Sequence, residues 1–418
     1  MNASFYTYAI AFGTAAGIVT RPFRWPEAVW AVFGALAVLA LGLLPPTEVW
    51  SGIIKGYDVY LFLIGMMLLS EVARHEGLFD WMAAIATSGA KGSPYRLFVL
   101  IYVIGTLVTV LLSNDATAVV LTPAVYAACK AAKVKNPLPY LLICAFIANA
   151  ASFVLPISNP ANLVVFAGGD MPSLYRWMAI FSLPSFVAII ATFFTLYWTQ
   201  RTTLLLDLVA SHVERPVLSL PAKFAGVGLA VTATMLVAMS ALHRDLGLPT
   251  FVAGILTSAF VLLASRQSPV PIIRGVTWSV LPLVAGLFVI VEAINHTGLT
   301  AVLSSKLSVL SAHSESSAVW LSGISVAIIS NIINNLPAGL FAGSTIATAH
   351  VSDRIAGAVL IGVDLGPNLS VTGSLATILW LAALRREGID VSAFAFLKLG
   401  ALVMLPALLL ALATLCYF

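Results

Sequence analysis

The most constraining feature of the sequence is that its two halves repeat, about 220 residues apart, where apolar segments end or break. Three residues near the end of one apolar segment recur at the same spacing in the second half: Gly65, Glu71 and His75 as Gly286, Glu292 and His296. LSN at 112–114 is matched by ISN at 329–331, and 157–163 aligns with 372–378. Duplicated halves with apolar segments broken at matching polar sites are typical of secondary transporters, which bind substrate at the breaks.

Composition indicates an integral membrane protein. Of the 418 residues, 60% are hydrophobic and 9% are charged, and the apolar segments reach membrane-spanning length. The formal net charge of +4 arises from basic residues in short loops, which indicates membrane orientation and predicts no nucleic-acid partner. The first apolar stretch is followed by Arg21 and Arg24 and has no basic region before it. We therefore interpret it as a membrane helix and not as a cleaved signal peptide.

Segment lengths predict an all-α membrane protein built from two inverted-topology repeats, at 1–199 and 223–418, joined by a cytoplasmic linker at 200–222. Two segments in each half are too long, and too polar at their centres, to be simple spans. We predict one re-entrant hairpin and one broken helix per half: hairpin 95–131 and broken helix 138–168, then hairpin 318–349 and broken helix 355–384. The chain would have about ten transmembrane helices plus two hairpins, with discontinuous helices at the membrane midplane.

Basic residues decide the orientation of the first hairpin. Four of them flank it and belong on the cytoplasmic side by the positive-inside rule: Arg96, Lys130, Lys133 and Lys135. The segment must therefore enter the membrane and return. This topology places sixteen of the 21 Lys and Arg residues inside. It also places both chain termini outside and the two halves in opposite orientations.

Four polar breaks, at 113–117, 152–162, 330–337 and 366–374, are where we expect the substrate. Unwound backbone is tolerated at membrane depth only where it is buried in protein or lines a cavity. Kinked helices with polar packing would explain any single break, but four breaks at symmetric places favour a binding site. The predicted substrate-binding residues are Ser113, Asn114, Asn159, Asn162, Ser330, Asn331, Asn334, Asn335, Thr372 and Ser374.

Two acids lie within the predicted hairpins and broken helices, Asp115 in the first hairpin and Asp364 in the second broken helix. Intramembrane carboxylates are costly unless they are paired or protonated, so we predict that both are proton-coupling residues. A structural pair with a helix N-terminus is the alternative. Their repeat partners are Ile332 and Asn149. None of the breaks contains Arg or Lys, so the site suits a small hydroxylated or hydrated solute better than a large organic anion.

Other polar residues are given no transport role. Four at helix ends are interpreted as structural anchors: Glu71, His75, Glu292 and His296. The three cysteines are too scattered to form a disulfide or to converge on one atom. No nucleophile–base pair or cluster of metal ligands accompanies the intramembrane acids, so we predict no enzyme activity, no metal and no cofactor.

These motifs resemble those of bacterial arsenite and antimonite efflux permeases, the membrane subunits of arsenical pumps, in the ion-transporter superfamily. The resemblance runs from about residue 27 to the end and rests on LSNDATAVVLTP at 112–123, FIANAAS at 146–152, SN at 158–159, IINNLP at 332–337, and DLGP at 364–367 followed by GSLAT at 373–377. The last stretch is the most specific. The chain departs from the family at Asn149, where members carry Asp, and at Asn368, where they carry Lys.

The resemblance implies export of arsenite and antimonite from the cytoplasm, across the bacterial inner membrane, by proton antiport. It also implies a homodimer and, in some members, association with a soluble arsenite-stimulated ATPase. Trivalent arsenic is an uncharged trihydroxide in neutral water, which amides and hydroxyls can bind. Two alternatives stay open: a sodium/proton antiporter of the same superfamily, and a uniporter for uncharged hydroxides such as arsenite or silicic acid.

Overall fold

The computed structural model describes residues 3–167, 171–210 and 217–417, which form helices and connecting turns with no strand among them. This confirms the all-α prediction. The helices are α1 (Ala3–Thr20), α2 (Glu27–Ala40), α3 (Pro46–Lys55), α4 (Tyr57–His75), α5 (Leu78–Ala90), α6 (Pro94–Leu111), α7 (Asn114–Ala116), α8 (Thr122–Ala131), α9 (Leu138–Ala150), α10 (Pro160–Phe166), α11 (Leu174–Leu206), α12 (Leu220–Ala241), α13 (Gly247–Ser265), α14 (Val270–Gly275), α15 (Val280–His296), α16 (Leu299–His313), α17 (Glu315–Ile333), α18 (Asn335–Ala349), α19 (Asp353–Leu365), α20 (Leu375–Arg386) and α21 (Ala393–Tyr417).

Six helices in the described part of the chain are long and apolar enough to cross a membrane: α6, α11, α12, α13, α17 and α21. Two bent pairs, α3 with α4 at 44° and α15 with α16 at 73°, raise the number to eight if each pair is one span. Helices α5 and α16 were not expected, because their polar residues interrupt the apolar pattern. The count of ten spans plus two hairpins stays a prediction, as does the membrane orientation of each half.

Helices recur in the same order in the two halves. In order and approximate length, α4, α6, α9 and α11 correspond to α15, α17, α19 and α21. The contacts recur as well, because α4 packs against α13 of the second half while α15 packs against α2 of the first. Each half therefore contributes to the packing of the other, and the two form a single core.

The repeated glycines lie at these contacts between the halves. A Cβ atom on Gly65 of α4 would lie 2.2 Å from the carbonyl oxygen of Thr250, and one on Gly286 of α15 would lie 2.6 Å from that of Ala31. Real Cβ atoms do not approach a backbone oxygen so closely. Glycine at these two positions therefore lets the paired helices pack backbone to backbone, as small residues do in membrane helix pairs.

Gly65→Val is expected to destabilise the fold, because α4 would have to move away from the backbone of α13. Overpacking a tight core typically costs about 1–3 kcal/mol, and here a rigid backbone must give way. The measurement is thermal unfolding of the purified protein in detergent. Gly13→Val is the matched control, since Gly13 is also helical and a Cβ there meets nothing within 4 Å among the described residues. Equal losses in the two variants would contradict the packing argument.

The break in the second hairpin is narrower than predicted. Helix α17 continues through Ser330 and Asn331 to Ile333, so the break is the single residue Asn334, at φ 76° and ψ 152°. This pair of angles lies outside the left-handed helical region that asparagine tolerates, in a region that is essentially restricted to glycine, so the backbone at Asn334 is strained. In the first hairpin Ser113 is the residue before the new helix. By position relative to the helix that follows, Ser113 therefore corresponds to Asn334, and Asn114 corresponds to Asn335. The alignment of the sequence repeat had instead paired these two residues with Ser330 and Asn331.

The two broken helices have matching breaks. After α9, a short 3₁₀ turn (Pro156–Ser158) leads to Asn159, which caps α10, and after α19 a 3₁₀ turn (Gly366–Leu369) leads toward Ser374, which caps α20. In the first hairpin, α7 continues into α8 through a π-helical turn (Thr117–Leu121). Residue 168 of the predicted first broken helix lies outside the described residues.

The predicted linker is partly helical. Helix α11 extends to Leu206 and α12 begins at Leu220, while 211–216 lie outside the described residues. The Oδ1 atom of Asp207 accepts a hydrogen bond of 2.9 Å from the backbone N–H of Lys135. This bond attaches the start of the linker to the end of the first hairpin.

Candidate substrate-binding site

The starts of four helices meet at one small cavity, which we name the central cavity. Each hairpin packs against the second piece of the opposite half's broken helix, α18 against α10 and α8 against α20. The residues at the starts of α7, α10, α18 and α20 line the cavity: Asn114 and Asp115, Asn159 and Pro160, Asn335 and Leu336, and Ser374 and Leu375. The remaining wall is apolar, with Val59 and Leu63 from α4 and Val280 and Val284 from α15. All four predicted breaks thus contribute residues to the central cavity.

Only some of the polar groups at this cavity are available to a ligand. The Oδ1 atom of Asn159 accepts from the Ala161 N–H and its Nδ2 donates to Asp364, so both ends of this amide are occupied. Ser374 Oγ is likewise engaged, by the backbone N–H and the hydroxyl of Thr377.

Three side chains retain unused hydrogen-bonding capacity. Asn114 accepts the Asp115 N–H at its Oδ1, which leaves its Nδ2 atom unbonded within the described part of the chain. No described residue donates to the Asp115 carboxylate or bonds the Asn335 side chain. Asn114 and Asn335 are 3% exposed. These two amides and one carboxylate are therefore the polar groups that a bound solute would meet.

Asp364 lies behind the cavity wall and does not line it. Its side chain is 0% exposed. The hydroxyl of Ser152 donates to Oδ2 at 2.6 Å and the Nδ2 atom of Asn159 donates to Oδ1 at 2.8 Å. A buried carboxylate needs such partners. Asp364, from the second half, thereby joins both sides of the break in the first broken helix, and Asn159 connects it to the central cavity.

The other predicted binding residues do not line the central cavity, and most of them stabilise the breaks. Asn331 donates to the carbonyl oxygens of Ala327 and Gly366, both at 2.7 Å. Asn162 donates to three carbonyls of the first break, the shortest at 2.9 Å to Ser152. Ser113 caps α7, Asn334 caps α18 and Thr372 bonds the Asn331 carbonyl, whereas the Ser330 hydroxyl is buried inside α17 with no hydrogen-bond partner among the described residues. The polar breaks are therefore largely self-bonded.

The two positions that depart from the permease family are in contact. The Nδ2 atom of Asn149 donates to Oδ1 of Asn368 at 3.0 Å, and Nδ2 of Asn368 donates to the carbonyl of Phe146 at 3.0 Å. Both residues are fully buried, and no described residue bonds Oδ1 of Asn149. A neutral amide pair therefore occupies the place of the Asp and Lys that the resemblance implies for other members.

Asn149→Asp and Asn368→Lys are each expected to destabilise the protein and to compensate in combination. Either single change buries one unpaired charge, whereas the double variant places opposite charges at hydrogen-bonding distance. Removing one partner of a buried ion pair costs about 3–5 kcal/mol, which sets the expected scale of the coupling. A double-mutant cycle on thermal unfolding measures it, and additive losses would contradict the contact.

Further cavities adjoin the central cavity at both ends. Toward Glu71 lies the Glu71 cavity, which shares Asp115 and Leu63 with the central one. Two larger cavities both reach Lys55, and we call them the Lys55 cavities. They share only Val59 and Val164, respectively, with the central cavity. The space open to the centre of a water molecule is about 20 Å³ in the central cavity, 80 Å³ in the Glu71 cavity, and 440 and 420 Å³ in the Lys55 cavities.

The repeated glutamates lie at these two ends, each in an ion pair. The Arg74 guanidinium bonds both oxygens of Glu71, and Lys55 Nζ donates to Glu292 at 2.7 Å. Glu71 lines the Glu71 cavity and Glu292 lines one Lys55 cavity. Ser152 and the apolar wall of α4 and α15 are not among the site residues that the motifs predict. The repeated Gly65 and Gly286 mark these two helices as equivalent, but nothing in them pointed to the cavity.

Comparison with known proteins identifies the family. Residues 15–362 match the citrate transporter family, CitMHS. The chain belongs to this family. This member is 29% identical over 403 residues to the arsenical pump membrane protein of Escherichia coli K12, covering 92% of each chain. It is 28% identical over 407 residues to the protein of the same name from Yersinia enterocolitica, covering 94% of this chain and 92% of the relative. The resemblance drawn from the motifs is thereby confirmed.

A solved structure shows the same fold. The structure of this chain matches that of the Alcanivorax borkumensis YdaH transporter with a TM-score of 0.59. The two share 17% sequence identity, and the match covers 88% of this chain and 86% of the other. Together with its apolar helices, the comparisons establish a multi-pass membrane transporter. The expected membrane location and transporter class are confirmed at this level.

Proposed function

We propose that this transporter exports arsenite, and antimonite as its close analogue, from the cytoplasm across the bacterial inner membrane by proton antiport. One observation carries the proposal: at the meeting of four helix starts, the polar groups left for a ligand are the Asp115 carboxylate and the amides of Asn114 and Asn335. Among the described residues, no Lys or Arg lines the central cavity or the Glu71 cavity. The names of the relatives support the same substrate.

The available groups suit an uncharged trihydroxide. Each hydroxyl of arsenous acid can donate and accept, so the carboxylate of Asp115 can accept from two of them while the amides of Asn114 and Asn335 complete the set. A tricarboxylate would need basic side chains, since Arg and Lys are the usual partners of carboxylates. Thiolate coordination is disfavoured, because no cysteine lines the described central or Glu71 cavity. Hydrogen bonds to oxygen and amide groups are also weak enough for the transporter to release arsenite.

Proton coupling would follow from the position of Asp115. Ionised Asp115 accepts hydrogen bonds from arsenite hydroxyls, whereas a proton bound to the carboxylate removes part of that acceptor capacity and favours release. Asp364 would be the second proton-linked acid, joined to the cavity by Asn159. The predicted topology places the Glu71 cavity toward the cytoplasm and the Lys55 cavities outside, with Val59 and Val164 between the site and the exterior. Homodimer formation and an ATPase partner stay predictions from the resemblance.

The test is arsenite movement in proteoliposomes with and without an imposed pH gradient. Gradient-driven arsenite accumulation on the expected side would support antiport. Arsenite movement that ignores the gradient would reduce the protein to a uniporter. Sodium-driven proton movement without arsenite transport would replace the proposal by the sodium/proton antiporter, and citrate uptake alone would contradict the argument from the missing basic side chains.

A further inference from the structure

The hydroxyl of Ser152 has two acceptors and one proton. Its Oγ atom lies 2.6 Å from Oδ2 of Asp364 and 2.8 Å from the carbonyl oxygen of Asn149. Ser152 is 0% exposed, as is Asp364. A serine hydroxyl can donate only one hydrogen bond, although it can also accept. The two contacts therefore describe alternative positions of one proton.

Each position of the proton fits one ionisation state of Asp364. When the carboxyl is ionised, Ser152 donates to Oδ2 and Asn159 donates to Oδ1. When the carboxyl is protonated on Oδ2, it donates to Ser152 Oγ, and the serine proton turns to the Asn149 carbonyl. Every proton then has an acceptor in both states without movement of a heavy atom. Buried polar groups are costly when they lack a partner, so this arrangement removes the usual obstacle to a change of charge inside protein.

We propose that Ser152 is a positioning residue that lets Asp364 gain and lose a proton within a closed, fully bonded pocket. Its contribution to arsenite antiport rests on the proposed function, but the proton exchange at Asp364 does not.

Among the described residues, no charged side chain bonds to the Asp364 carboxyl group. Helices α9, α10, α11, α17, α18 and α21 pack around α19. Among the described residues they carry four Lys, Arg, Asp or Glu side chains, Arg176, Arg201, Glu315 and Lys398. None of these forms a hydrogen bond or an ion pair with Asp364, and neither does Asp115, nor Asp353 and Arg354 at the far end of α19; the side chains that bond Asp364 are Ser152 and Asn159. Ser152 and Asn159 are thus the polar partners that decide how Asp364 holds its proton.

Asn159 carries the effect to the central cavity. Its Nδ2 atom bonds Asp364, its Oδ1 atom caps the start of α10 through the Ala161 N–H, and the residue itself lines the cavity beside Asp115. A change in the charge of Asp364 alters the strength of the bond to Asn159, because bonds to charged groups are the stronger ones. The start of α10 is therefore coupled to the proton.

The experiment is infrared titration of the protein in liposomes, following the carbonyl band of protonated carboxylic acid. The Asp115→Asn background removes the second intramembrane acid, and subtraction of an Asp115→Asn, Asp364→Asn spectrum isolates Asp364. In Ser152→Ala the band is expected to persist to higher pH by about one to two units, since the ionised form loses a donor. Ser152→Thr keeps the hydroxyl and is expected to titrate like the parent.

The two proposals fail separately. A Ser152→Ala band that titrates at the parent pH would overturn the role of Ser152, whatever arsenite does. A second outcome combines the expected band shift with wild-type arsenite flux that does not respond to the pH gradient. It would support the proposed role of Ser152 and overturn the proposal of proton antiport. If Ser152→Ala does not fold, Ser152→Cys takes its place, because a thiol keeps the shape but donates weakly. A parent-like titration in that variant would also overturn the proposal.

Discussion

Asp115→Asn is expected to abolish pH-driven arsenite efflux and to weaken arsenite binding by roughly tenfold to a hundredfold. The carboxylate is the one charged group that lines the described central cavity, and hydrogen bonds to a charged group contribute about 1.5–3 kcal/mol. The asparagine side chain keeps the shape of aspartate and can still accept hydrogen bonds at one oxygen. We therefore expect weak arsenite binding to remain, without coupling of transport to the pH gradient. The measurement is initial efflux rate in proteoliposomes over a range of arsenite concentrations, with and without the pH gradient.

Asp390→Asn is the matched control for this variant. Asp390 is exposed and pairs with Arg385 far from the cavity, so its loss should leave both rate and coupling unchanged. Asp115→Glu keeps the charge and should restore coupling at reduced affinity. Wild-type efflux in Asp115→Asn would show that the substrate binds elsewhere.

Asp364→Ala is expected to lower both stability and transport, because it leaves the Asn159 amide buried without its acceptor and removes one of the two acceptors of the Ser152 hydroxyl. Each unsatisfied group costs about 1–3 kcal/mol. Asp364→Asn should behave differently. Its oxygen can accept from Asn159 and its amide can donate to Ser152 Oγ, so it imitates the protonated acid, and the fold should persist while coupling to the pH gradient is lost.

Thermal unfolding and arsenite flux, measured on the same preparations, separate the two effects. The expected pattern is a low melting temperature for Asp364→Ala, a near wild-type one for Asp364→Asn, and loss of gradient-driven flux in both. Gradient-driven flux in Asp364→Asn would assign proton coupling to Asp115 alone.

The repeat in the sequence pointed to segments that lie together in the structure. It identified the four breaks, and the first residues of the helices that follow them line one cavity. It also identified Gly65 and Gly286, which prove to be backbone contacts between the halves. The register was off at the second hairpin, because ISN resembles LSN while the helix in fact continues for another turn to Asn334. The similarity of letters could not show which asparagine leaves the helix.

The residues that contact a substrate were harder to predict from the sequence than the positions of the breaks. Asn159, Asn162, Asn331 and Thr372 all belong to the predicted breaks, yet their polar atoms bond other parts of the protein. Freed backbone groups inside a membrane protein need partners, and nearby asparagine and threonine side chains supply them. A polar residue at a break is therefore as suited to holding the break together as to holding a substrate.

Hydrophobic length and polar interruptions are local properties of the chain, and from them alone the membrane class, the helical fold and the places of the four breaks could be predicted. The organisation into two inverted repeats stays a prediction. Which acid meets the cavity depends on how the helices pack. Asp115 lines it, whereas Asp364 is enclosed by Ser152 and Asn159 from the other half. Such a difference depends on hydrogen bonds between residues more than 200 positions apart, and no local pattern encodes the direction in which a side chain points.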